Sequence, residues 1–447
     1  MIANFRANSR LMNWEALLGG SSFHDRNTDR SVFDKDFDRI IFSHPFRKLQ
    51  DKTQVHPLPE QDFVHNRLTH SLEVSSVGRS LGRTVGSVIL ERHPELRNSF
   101  YASDFGVITA SAALAHDIGN PPFGHSGEDA ISDYFVSNRE LLESGFKEQE
   151  WFDLINFEGN AQGFRLLNKS GYQGLRLTAP TLAAFTKYPR PSKVSDNFKP
   201  RRSQKKYGFY STEGKIFKSL AESLQLHSLS DNQWARHPLA FLVEAADDMC
   251  YHIIDLEDGC NLGLISHNET VALYAEVIGE KFNATKLKAI KNKAEQIGLL
   301  RALAIGKLIE ECVELFLDNE EGILSGKYDT SLTDEILAEP ALAQIKKVSI
   351  EKIYRSRNVV EIEAAGFNVL NGLLEIFVPA ALNRGKMSKR QSVSFRLLPA
   401  DLKEEIESAK ESYEVLRVLL DYISGLTDSN AMGLYRKLMG ISLPGMR

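Results

Sequence analysis

The sequence predicts an all-α fold with at most a small β-hairpin. Apolar residues recur at helical spacing over several long stretches, and no convincing run of alternating strand residues interrupts them. The 447 residues are 42% hydrophobic and 25% charged, which is ordinary for a globular protein of one to three domains. We expect an N-terminal arm and loop over 1–64, a core over 65–260 and a C-terminal helical region over 261–447.

The bulk composition argues against several classes of protein. A net charge of -5 argues against a general nucleic-acid-binding surface, although a local basic patch remains compatible with it. Cys250, Cys260 and Cys312 show no CxxC spacing and fit a reducing compartment. The N-terminus lacks a signal-peptide pattern, and no apolar run approaches the length of a membrane span. We therefore expect a cytoplasmic protein with no membrane partner.

The first 64 residues are not predicted to form a domain. Residues 1–40 are polar, with scattered aromatic residues, and predict short helices and an arm. Residues 41–64 predict extended or looped chain, because Pro57 and Pro59 are incompatible with a helix there.

Helical periodicity begins after this loop. His70, Val74, Val77 and Leu81 fall on one face of a predicted helix. His70 therefore points in the same direction as the apolar side chains. A polar side chain on such a face is most often a hydrogen-bonded core residue, but it needs a partner in either case.

Two further helices flank a polar turn. An alanine-rich helix is predicted from about 104 to 118, ending at Gly119, and another begins near Ser126, which forms a variant capping box with Asp129. Between them lies the stretch HDIGNPPFGHSGE (116–128). Two histidines and two carboxylates around a Gly/Pro turn are difficult to explain by packing alone.

The remainder of the chain also predicts helices. The segment 187–206 is basic and interrupted by prolines, so a regular helix is not expected there. A long helix is predicted over 238–258 with Gly259 as its C-cap. Further helices are predicted over 268–320, 350–378 and 401–424, the last two joined by the basic stretch 384–396.

Two clusters of polar residues suggest a metal site. His116 and Asp117 lie at the C-terminal end of a predicted helix, where unpaired carbonyl groups favour a cation. Asp247, Tyr251 and Asp255 share one face of the 238–258 helix, which suggests a polar-lined cavity. Without further context, the first pair reads more often as a hydrogen-bonded pair, and the acids read equally well as a solvated face.

The longer motifs resemble those of the HD-domain deoxynucleoside triphosphate triphosphohydrolases, and most nearly the bacterial deoxyguanosinetriphosphate triphosphohydrolases. The resemblance covers about residues 12–440 and implies an all-helical HD-domain fold with additional helices. The matching motifs are RLTHSLEV (67–74), HDIGNPPFGHSGE (116–128), EAADDMCY (244–251), RKLQDKTQV (47–55), FEGNAQ (157–162) and DYISGLTD (421–428).

The resemblance implies one divalent metal ion per subunit, held by His70, His116, Asp117 and Asp247. Two imidazoles and two carboxylates suit Mn²⁺, Fe²⁺ or Co²⁺, and suit Mg²⁺ less well. The implied reaction is attack of water on the α-phosphorus of dGTP, or of other dNTPs, giving deoxynucleoside and tripolyphosphate.

The resemblance identifies His125 and Glu128 as the catalytic pair. His125 lies just before a helix N-terminus, which disfavours imidazolium, whereas Glu128 favours it and can orient the ring. Glu128 could instead be a first-turn capping acid. The sequence leaves open whether His125 protonates the leaving 5′-oxygen or acts on the nucleophile.

The triphosphate requires cations, and the resemblance implies four. Arg67, Lys187, Lys206 and Arg396 match phosphate-binding positions, the last least closely. The segment 187–206 is then a lid that substrate orders. Each lysine could instead be a solvated surface charge.

The sugar contacts come from the same resemblance. Tyr251 is expected to pack where a 2′-hydroxyl would lie, Asp255 to accept from the 3′-hydroxyl, and Gln54 to lie beside the sugar or base. Asn120 matches the bacterial dGTP-hydrolysing branch.

The family resembled is usually oligomeric, often a hexamer in this branch, and relatives bind single-stranded DNA. A homo-oligomer and single-stranded DNA are therefore expected as partners. Two alternatives stay open: a different HD phosphohydrolase, such as a nucleotidase or phosphodiesterase, or a nucleic-acid-responsive binding protein that uses the stretches 187–206 and 384–396.

Overall fold

The structure is a computed structural model, and it describes residues 11–20, 30–55, 64–169, 174–193 and 201–441. Within these ranges the chain is almost entirely helical, which confirms the all-α prediction. The helices of the N-terminal half are α1 (Trp14–Leu17), α2 (Val32–Ile41), α3 (His44–Lys48), α4 (Arg67–Arg92), α5 (Ala102–Ala115), α6 (His125–Ser137), α7 (Arg139–Leu142), α8 (Glu148–Ile155), α9 (Gly159–Leu167), α10 (Ala179–Phe185), α11 (Gly214–Ser223) and α12 (Pro238–Asn261).

The C-terminal half continues the helical pattern after a short hairpin. Strands β1 (Ser228–Ser230) and β2 (Gln233–Trp234) pair antiparallel, which is the small hairpin that the sequence allows. The remaining helices are α13 (His267–Ile278), α14 (Ala284–Ala289), α15 (Lys293–Asp318), α16 (Glu320–Leu324), α17 (Glu339–Ser349), α18 (Arg357–Leu382), α19 (Lys389–Arg396), α20 (Ala400–Ser408), α21 (Ser412–Ser424) and α22 (Asp428–Leu438).

Helices α4 and α5 pack against each other very closely along their length. A Cβ atom at Gly82 would lie only 2.5 Å from the carbonyl oxygen of Phe105, so a larger residue cannot be accommodated without moving a backbone. The predicted inward face of α4 is confirmed, because His70, Val74 and Leu81 are all buried. Close packing of α4 on α5 brings His70 near the end of α5.

The expected absence of a helix over 41–64 is wrong for its first part. Ser43 caps α3 by accepting a hydrogen bond from the amide of Phe46, and Pro45 lies in the first turn, where its missing N–H is not needed. Pro57 and Pro59 lie outside the described residues.

The predicted cap of the helix after the polar turn is also wrong. Helix α6 begins at His125 with Gly124 as its N-cap, and Ser126 lies inside the first turn. Gly124 has φ +60°, a left-handed conformation that glycine adopts without strain. The start of α6 is therefore set by the glycine and not by a serine cap.

Helix α12 extends beyond its predicted end. The helix runs to Asn261, so Gly259 lies within it, and a Cβ at Gly259 would lie 2.6 Å from the side chain of Ile353. Gly259 thus allows close packing, and the chain instead turns at Gly263, with φ +73°.

Three predicted helical segments differ in detail. The stretch 268–320 is divided by Asn283 and Asn292, whose side chains cap α14 and α15. The stretch 401–424 forms the two helices α20 and α21, and part of the basic stretch 384–396 forms α19. In 187–206, the described residues form no α-helix, as predicted.

Two large apolar clusters hold most of the described helices together. The first cluster contains residues of α2, α4, α5, α10, α12 and α15, and the second contains residues of α6, α8 and α18 to α22. Each cluster uses residues from more than one of the three predicted regions, and that division stays a prediction. The chain passes from the first cluster to the second between α5 and α6.

Helix α18 is long and apolar enough, by length and composition, to cross a membrane. Polar residues are interspersed among its apolar residues, so the sequence shows no uninterrupted apolar run there. Half of its most apolar window is buried, and it packs on α6, α19 and α21, as the core helix of a globular protein does. Its composition is therefore weak evidence for a membrane span.

Candidate active site

Three helices bring the four predicted metal ligands together. The ligand atoms of His70, His116 and Asp117 all lie within 4.8 Å of one another. Oδ1 of Asp247, on α12, lies 3.2 Å from Nε2 of His70 and 3.4 Å from Nε2 of His116. We call these four residues the ligand cluster.

The donor set of the ligand cluster fits a divalent cation. Nδ1 of His116 lies 2.7 Å from the carbonyl oxygen of Ala113, so it carries the proton and leaves a lone pair on Nε2. That lone pair faces a carboxylate oxygen of Asp247, and burial lowers the pKa of His116, which disfavours a proton between them. A cation between the two groups would satisfy both. Two imidazoles and two carboxylates together form a donor set that suits a divalent metal ion.

Positive side chains border the ligand cluster. Nη1 of Arg67 lies 2.9 Å from Oδ2 of Asp117, and Nζ of Lys187 lies 2.5 Å from Oδ2 of Asp247. Burial alone would raise the pKa of Asp117, but Arg67 and the imidazoles lower it to about 2. The pKa of Asp247 is also lowered, by Lys187 and the histidines against the effect of burial. Both carboxylates are therefore charged and available as ligands.

A tight turn, residues 119–124, joins the ligand cluster to α6. A Cβ at Gly119 would lie 2.0 Å from the carbonyl oxygen of Gly159, so the turn packs directly on the start of α9. Phe123 and Gly124 both have positive φ, at +64° and +60°. This connecting turn directs the chain so that His125 follows the ligand cluster without joining it.

The predicted catalytic pair is formed. Nδ1 of His125 lies 2.7 Å from Oε2 of Glu128, whose Oε1 accepts a hydrogen bond of 2.6 Å from the amide of Gly159. The side chain of His125 is 80% exposed, whereas that of Glu128 is 9% exposed. The hydrogen bond to Glu128 raises the pKa of His125, and it lowers the pKa of Glu128 against the effect of burial. The pair therefore favours imidazolium beside a carboxylate.

A cavity of about 620 Å³ opens beside both features. Its lining also includes Val55, Tyr354 and Val359, which add apolar surface, and Asn120. The predicted residues that line it are Gln54, Arg67, His116, Asp117, His125, Lys187, Lys206, Asp247 and Tyr251.

Asp255 lies beneath the cavity wall rather than in it. Its Oδ2 accepts a hydrogen bond of 2.7 Å from the hydroxyl of Tyr354, and the rings of Tyr354 and Tyr251 stack at 5.5 Å. Burial raises the pKa of Asp255 to about 7. In this structure Asp255 therefore supports a pair of tyrosines that face the cavity.

The structure does not bring Arg396 to the site. Arg396 is exposed at the end of α19, on the part of the chain that builds the second apolar cluster. Lys187 and Lys206, by contrast, are both at the cavity, although seven residues between them lie outside the described part of the chain.

Sequence reasoning assigned no role to several residues that the structure places at the site. The buried carboxylate of Glu158 lies 3.1 Å from Nζ of Lys206. Lys52 is buried, donates to the carbonyl oxygen of Asn120, and has a pKa that burial lowers to about 7. Asp428 contacts the connecting turn from α22. Glu158, Lys52 and Asp428 all lie in motifs that carry the resemblance, but periodicity alone gives no signal for them.

The comparison with known families agrees with this geometry. Residues 67–155 match the HD domain, which contains three members of the ligand cluster, and residues 331–437 match the phosphohydrolase-associated domain. The chain is thus a hydrolase of the HD-domain class, whose members depend on metal ions.

Similarity to whole proteins narrows this class. The chain is 41% identical to a deoxyguanosinetriphosphate triphosphohydrolase-like protein of Synechocystis sp., over 97% of this chain and 100% of that protein. It is 38% identical to a protein of the same description from Pseudomonas aeruginosa, over 97% and 100%. It is 30% identical to the deoxyguanosinetriphosphate triphosphohydrolase of Salmonella paratyphi A, over 92% and 94%. The chain therefore belongs to the family of deoxyguanosinetriphosphate triphosphohydrolase-like proteins.

Proposed function

We propose that this protein hydrolyses dGTP, or other dNTPs as well, to deoxynucleoside and tripolyphosphate. The observation that carries the proposal is the placement of the His125–Glu128 pair beside the ligand cluster, at a cavity lined by Arg67, Lys187 and Lys206. This combination offers a cation site, a proton-exchanging group and positive charge for a polyphosphate in one space. The similarity to triphosphohydrolases over the whole chain supports the same reaction.

We propose that His70, His116, Asp117 and Asp247 hold one divalent ion, with Mn²⁺, Fe²⁺, Co²⁺ and Mg²⁺ as candidates. When bound, such an ion neutralises charge on a phosphoryl oxygen and favours deprotonation of water. The two carboxylates of the ligand cluster balance the charge of the ion, and the buried imidazoles fix its position.

His125 is the proposed proton donor. Its Nδ1 is committed to Glu128, so its Nε2 is the nitrogen that can reach the substrate. The raised pKa of His125 favours the imidazolium form, which can give a proton to the 5′-oxygen as the bond between that oxygen and the α-phosphorus breaks. The oxygen of water ends on tripolyphosphate, and the donated proton ends on the deoxynucleoside.

The triphosphate is expected to bind the cations at the cavity. Lys187 and Lys206 now contact the carboxylates of Asp247 and Glu158. Phosphate oxygens compete for these ammonium groups, and Arg67 lies close enough to the ligand cluster to bridge a phosphate and Asp117. A lid over 187–206, the role of Arg396, the homo-oligomer, single-stranded DNA binding and the cytoplasmic location stay predictions.

The stacked tyrosines are proposed to select deoxyribose. Tyr251 and Tyr354 form a wall whose position depends on the hydrogen bond from Tyr354 to Asp255. A ring packed against the 2′ position leaves no space for a hydroxyl group. We expect Tyr251→Ala to lower the preference for dGTP over GTP by at least about tenfold, whereas Tyr251→Phe, which keeps the ring, retains it. Equal preference in the wild type and Tyr251→Ala would contradict this role.

The whole proposal is tested by a substrate and metal screen. The four dNTPs and GTP are incubated with the chelator-treated enzyme and each of Mn²⁺, Mg²⁺, Co²⁺ and Fe²⁺, and nucleoside and inorganic products are separated by chromatography. We expect deoxyguanosine and tripolyphosphate in a metal-dependent reaction. Orthophosphate or a nucleoside monophosphate as the first product would contradict the proposal and favour another HD phosphohydrolase.

A further inference from the structure

The buried carboxylate of Asp428 joins the last described helix to both sides of the active site. Asp428 is the first residue of α22 and is 3% exposed. Its Oδ1 accepts a hydrogen bond of 3.0 Å from the amide of Phe123 in the connecting turn. Its Oδ2 accepts two hydrogen bonds from Thr53, of 2.9 Å from the amide and 2.6 Å from the hydroxyl. All three of these hydrogen bonds therefore come from segments of the candidate site.

Both partners of Asp428 precede a residue that lines the cavity. Thr53 precedes Gln54, and Phe123 lies two residues before His125. These two segments are about 70 residues apart in the sequence, and one carboxylate holds both backbones. The distance between Gln54 and His125 is thus set partly by a residue of the C-terminal region.

The connecting turn has a conformation that needs such support. Phe123 has φ +64°, which is uncommon for a residue with a side chain, and Gly124 follows at φ +60°. His125 comes next, with a side chain that is largely exposed. Packing does little to fix this imidazole, so its position depends on the backbone of the turn and on Glu128.

A second buried side chain connects the same elements. Nζ of Lys52 donates 2.5 Å to the carbonyl oxygen of Asn120 and 2.8 Å to the carbonyl oxygen of Ser424, at the end of α21. The end of α21 and the start of α22 therefore approach the connecting turn together. Lys52 and Asp428 act on opposite ends of that turn, at Asn120 and at Phe123.

We propose that Asp428 is a positioning residue for catalysis, which holds the connecting turn so that His125 meets the substrate bound beside Gln54. The inference rests on the proposed function. Asp428 contacts no member of the ligand cluster among the described residues, so its loss is expected to reduce turnover and not metal binding. The phosphohydrolase-associated region is then part of the catalytic scaffold.

The test uses Asp428→Asn in the full-length, metal-loaded enzyme. Asparagine keeps the size of the side chain but has an amide NH₂ group in place of one carboxylate oxygen. Its one remaining acceptor oxygen cannot serve both Thr53 and Phe123. The matched control is Ser429→Ala. Ser429 is the next residue, and its hydroxyl donates 2.9 Å to Asp51, an exposed link between the same two segments that does not reach the turn.

The measurements are kcat and KM for dGTP, with kcat expressed per metal-loaded site. We expect Asp428→Asn to lower kcat by about 100-fold, the scale of a small misplacement of reacting groups, with unchanged metal affinity and stoichiometry. Counting bound metal removes the contribution of unfolded protein, so a purely structural role would leave kcat per site unchanged. Ser429→Ala is expected to match the wild type.

Each outcome decides the proposal. Wild-type turnover per metal-loaded site in Asp428→Asn overturns it, and so does an equal loss in Ser429→Ala. If Asp428→Asn does not fold, the test uses Thr53→Val, which removes only the hydroxyl donor. A lowered kcat per metal-loaded site in Thr53→Val supports the proposal, and an unchanged kcat overturns it. A wild type that releases no tripolyphosphate overturns the proposed function and this inference together, whereas an active wild type isolates the role of Asp428.

Discussion

The two halves of the candidate active site are built on different apolar clusters. The ligand cluster lies on α4, α12 and the end of α5, which pack in the first cluster; His70 and Asp117 are buried, and His116 is half-buried. The predicted catalytic pair lies at the start of α6, which packs in the second cluster against α18. The imidazole of the pair is exposed to solvent.

This difference assigns a separate task to each half. The buried, closely packed half can hold a cation in a fixed position, because its ligands have little freedom. The exposed half can exchange protons with solvent and substrate, because its imidazole is accessible. Changes in the first half should therefore affect metal binding, whereas changes in the second should affect proton transfer without loss of metal.

The largest expected effect comes from the ligand cluster. Asp247→Asn removes one negative charge and leaves two imidazoles and one carboxylate to hold the ion. We expect metal binding to weaken strongly and hydrolysis of dGTP to fall to background. Calorimetric titration with Mn²⁺ and an assay for tripolyphosphate measure the two effects.

The neighbouring Asp248 offers a matched control for that change. It accepts hydrogen bonds from Ser331 and Thr333, and burial raises its pKa to about 6. Asp248→Asn removes the same charge one residue away and should leave metal affinity unchanged. Equal losses of metal in the two variants would mean that the assignment of Asp247 as a ligand is wrong.

The next effect separates the two halves directly. His125→Ala removes the proposed proton donor and should lower kcat by about 10²- to 10⁴-fold, the usual contribution of general acid catalysis. Metal affinity should stay at the wild-type value, since His125 does not belong to the ligand cluster. Loss of metal binding in this variant would contradict the separation of the two halves.

Stability measurements sharpen the comparison. Leu242 on α12 and Leu373 on α18 are both fully buried, one in each apolar cluster. Each change to alanine should lower the free energy of unfolding by about 2–5 kcal/mol. Hydrogen exchange should increase in α12 for Leu242→Ala and in α6 for Leu373→Ala. The same exchange pattern in both variants would show that the clusters do not behave as separate units.

The smallest predicted effect is a shift in pH dependence. Glu128 stabilises imidazolium and raises the pKa of His125, while Lys206 and Arg67 oppose it. If the imidazolium is the active form, kcat falls as pH rises through this raised pKa. Glu128→Gln removes the carboxylate charge, so the pKa of His125 falls and the decline in kcat should move to lower pH. A decline at an unchanged pH would mean that another group controls it.

Much of the fold could be predicted because it depends on local pattern. The apolar periodicity around His70 and the polar face of Asp247, Tyr251 and Asp255 place these residues on inward or cavity-facing sides of helices. The errors were also local. Gly124 and not Ser126 starts α6, and the predicted loop over 41–64 contains the short helix α3.

The site beyond these helices could not be derived from periodicity. No pattern near Asp428 indicates that its carboxylate reaches Thr53, because that contact depends on how the two clusters pack. The sugar contact of Asp255 stays a prediction, and its carboxylate also accepts a hydrogen bond from Tyr354, a residue with no signal in the sequence pattern. The weak match at Arg396 stays a prediction, because Arg396 lies on an exposed helix end away from the cavity.

Hydrolysis of dGTP in ¹⁸O-labelled water tests the central claim most directly. Attack on the α-phosphorus, with His125 donating to the leaving 5′-oxygen, places the label in tripolyphosphate and leaves deoxyguanosine unlabelled. Mass spectrometry of the separated products measures both. Label in tripolyphosphate alone is the predicted result, whereas label in deoxyguanosine, or release of labelled orthophosphate or pyrophosphate in its place, would contradict the proposed reaction.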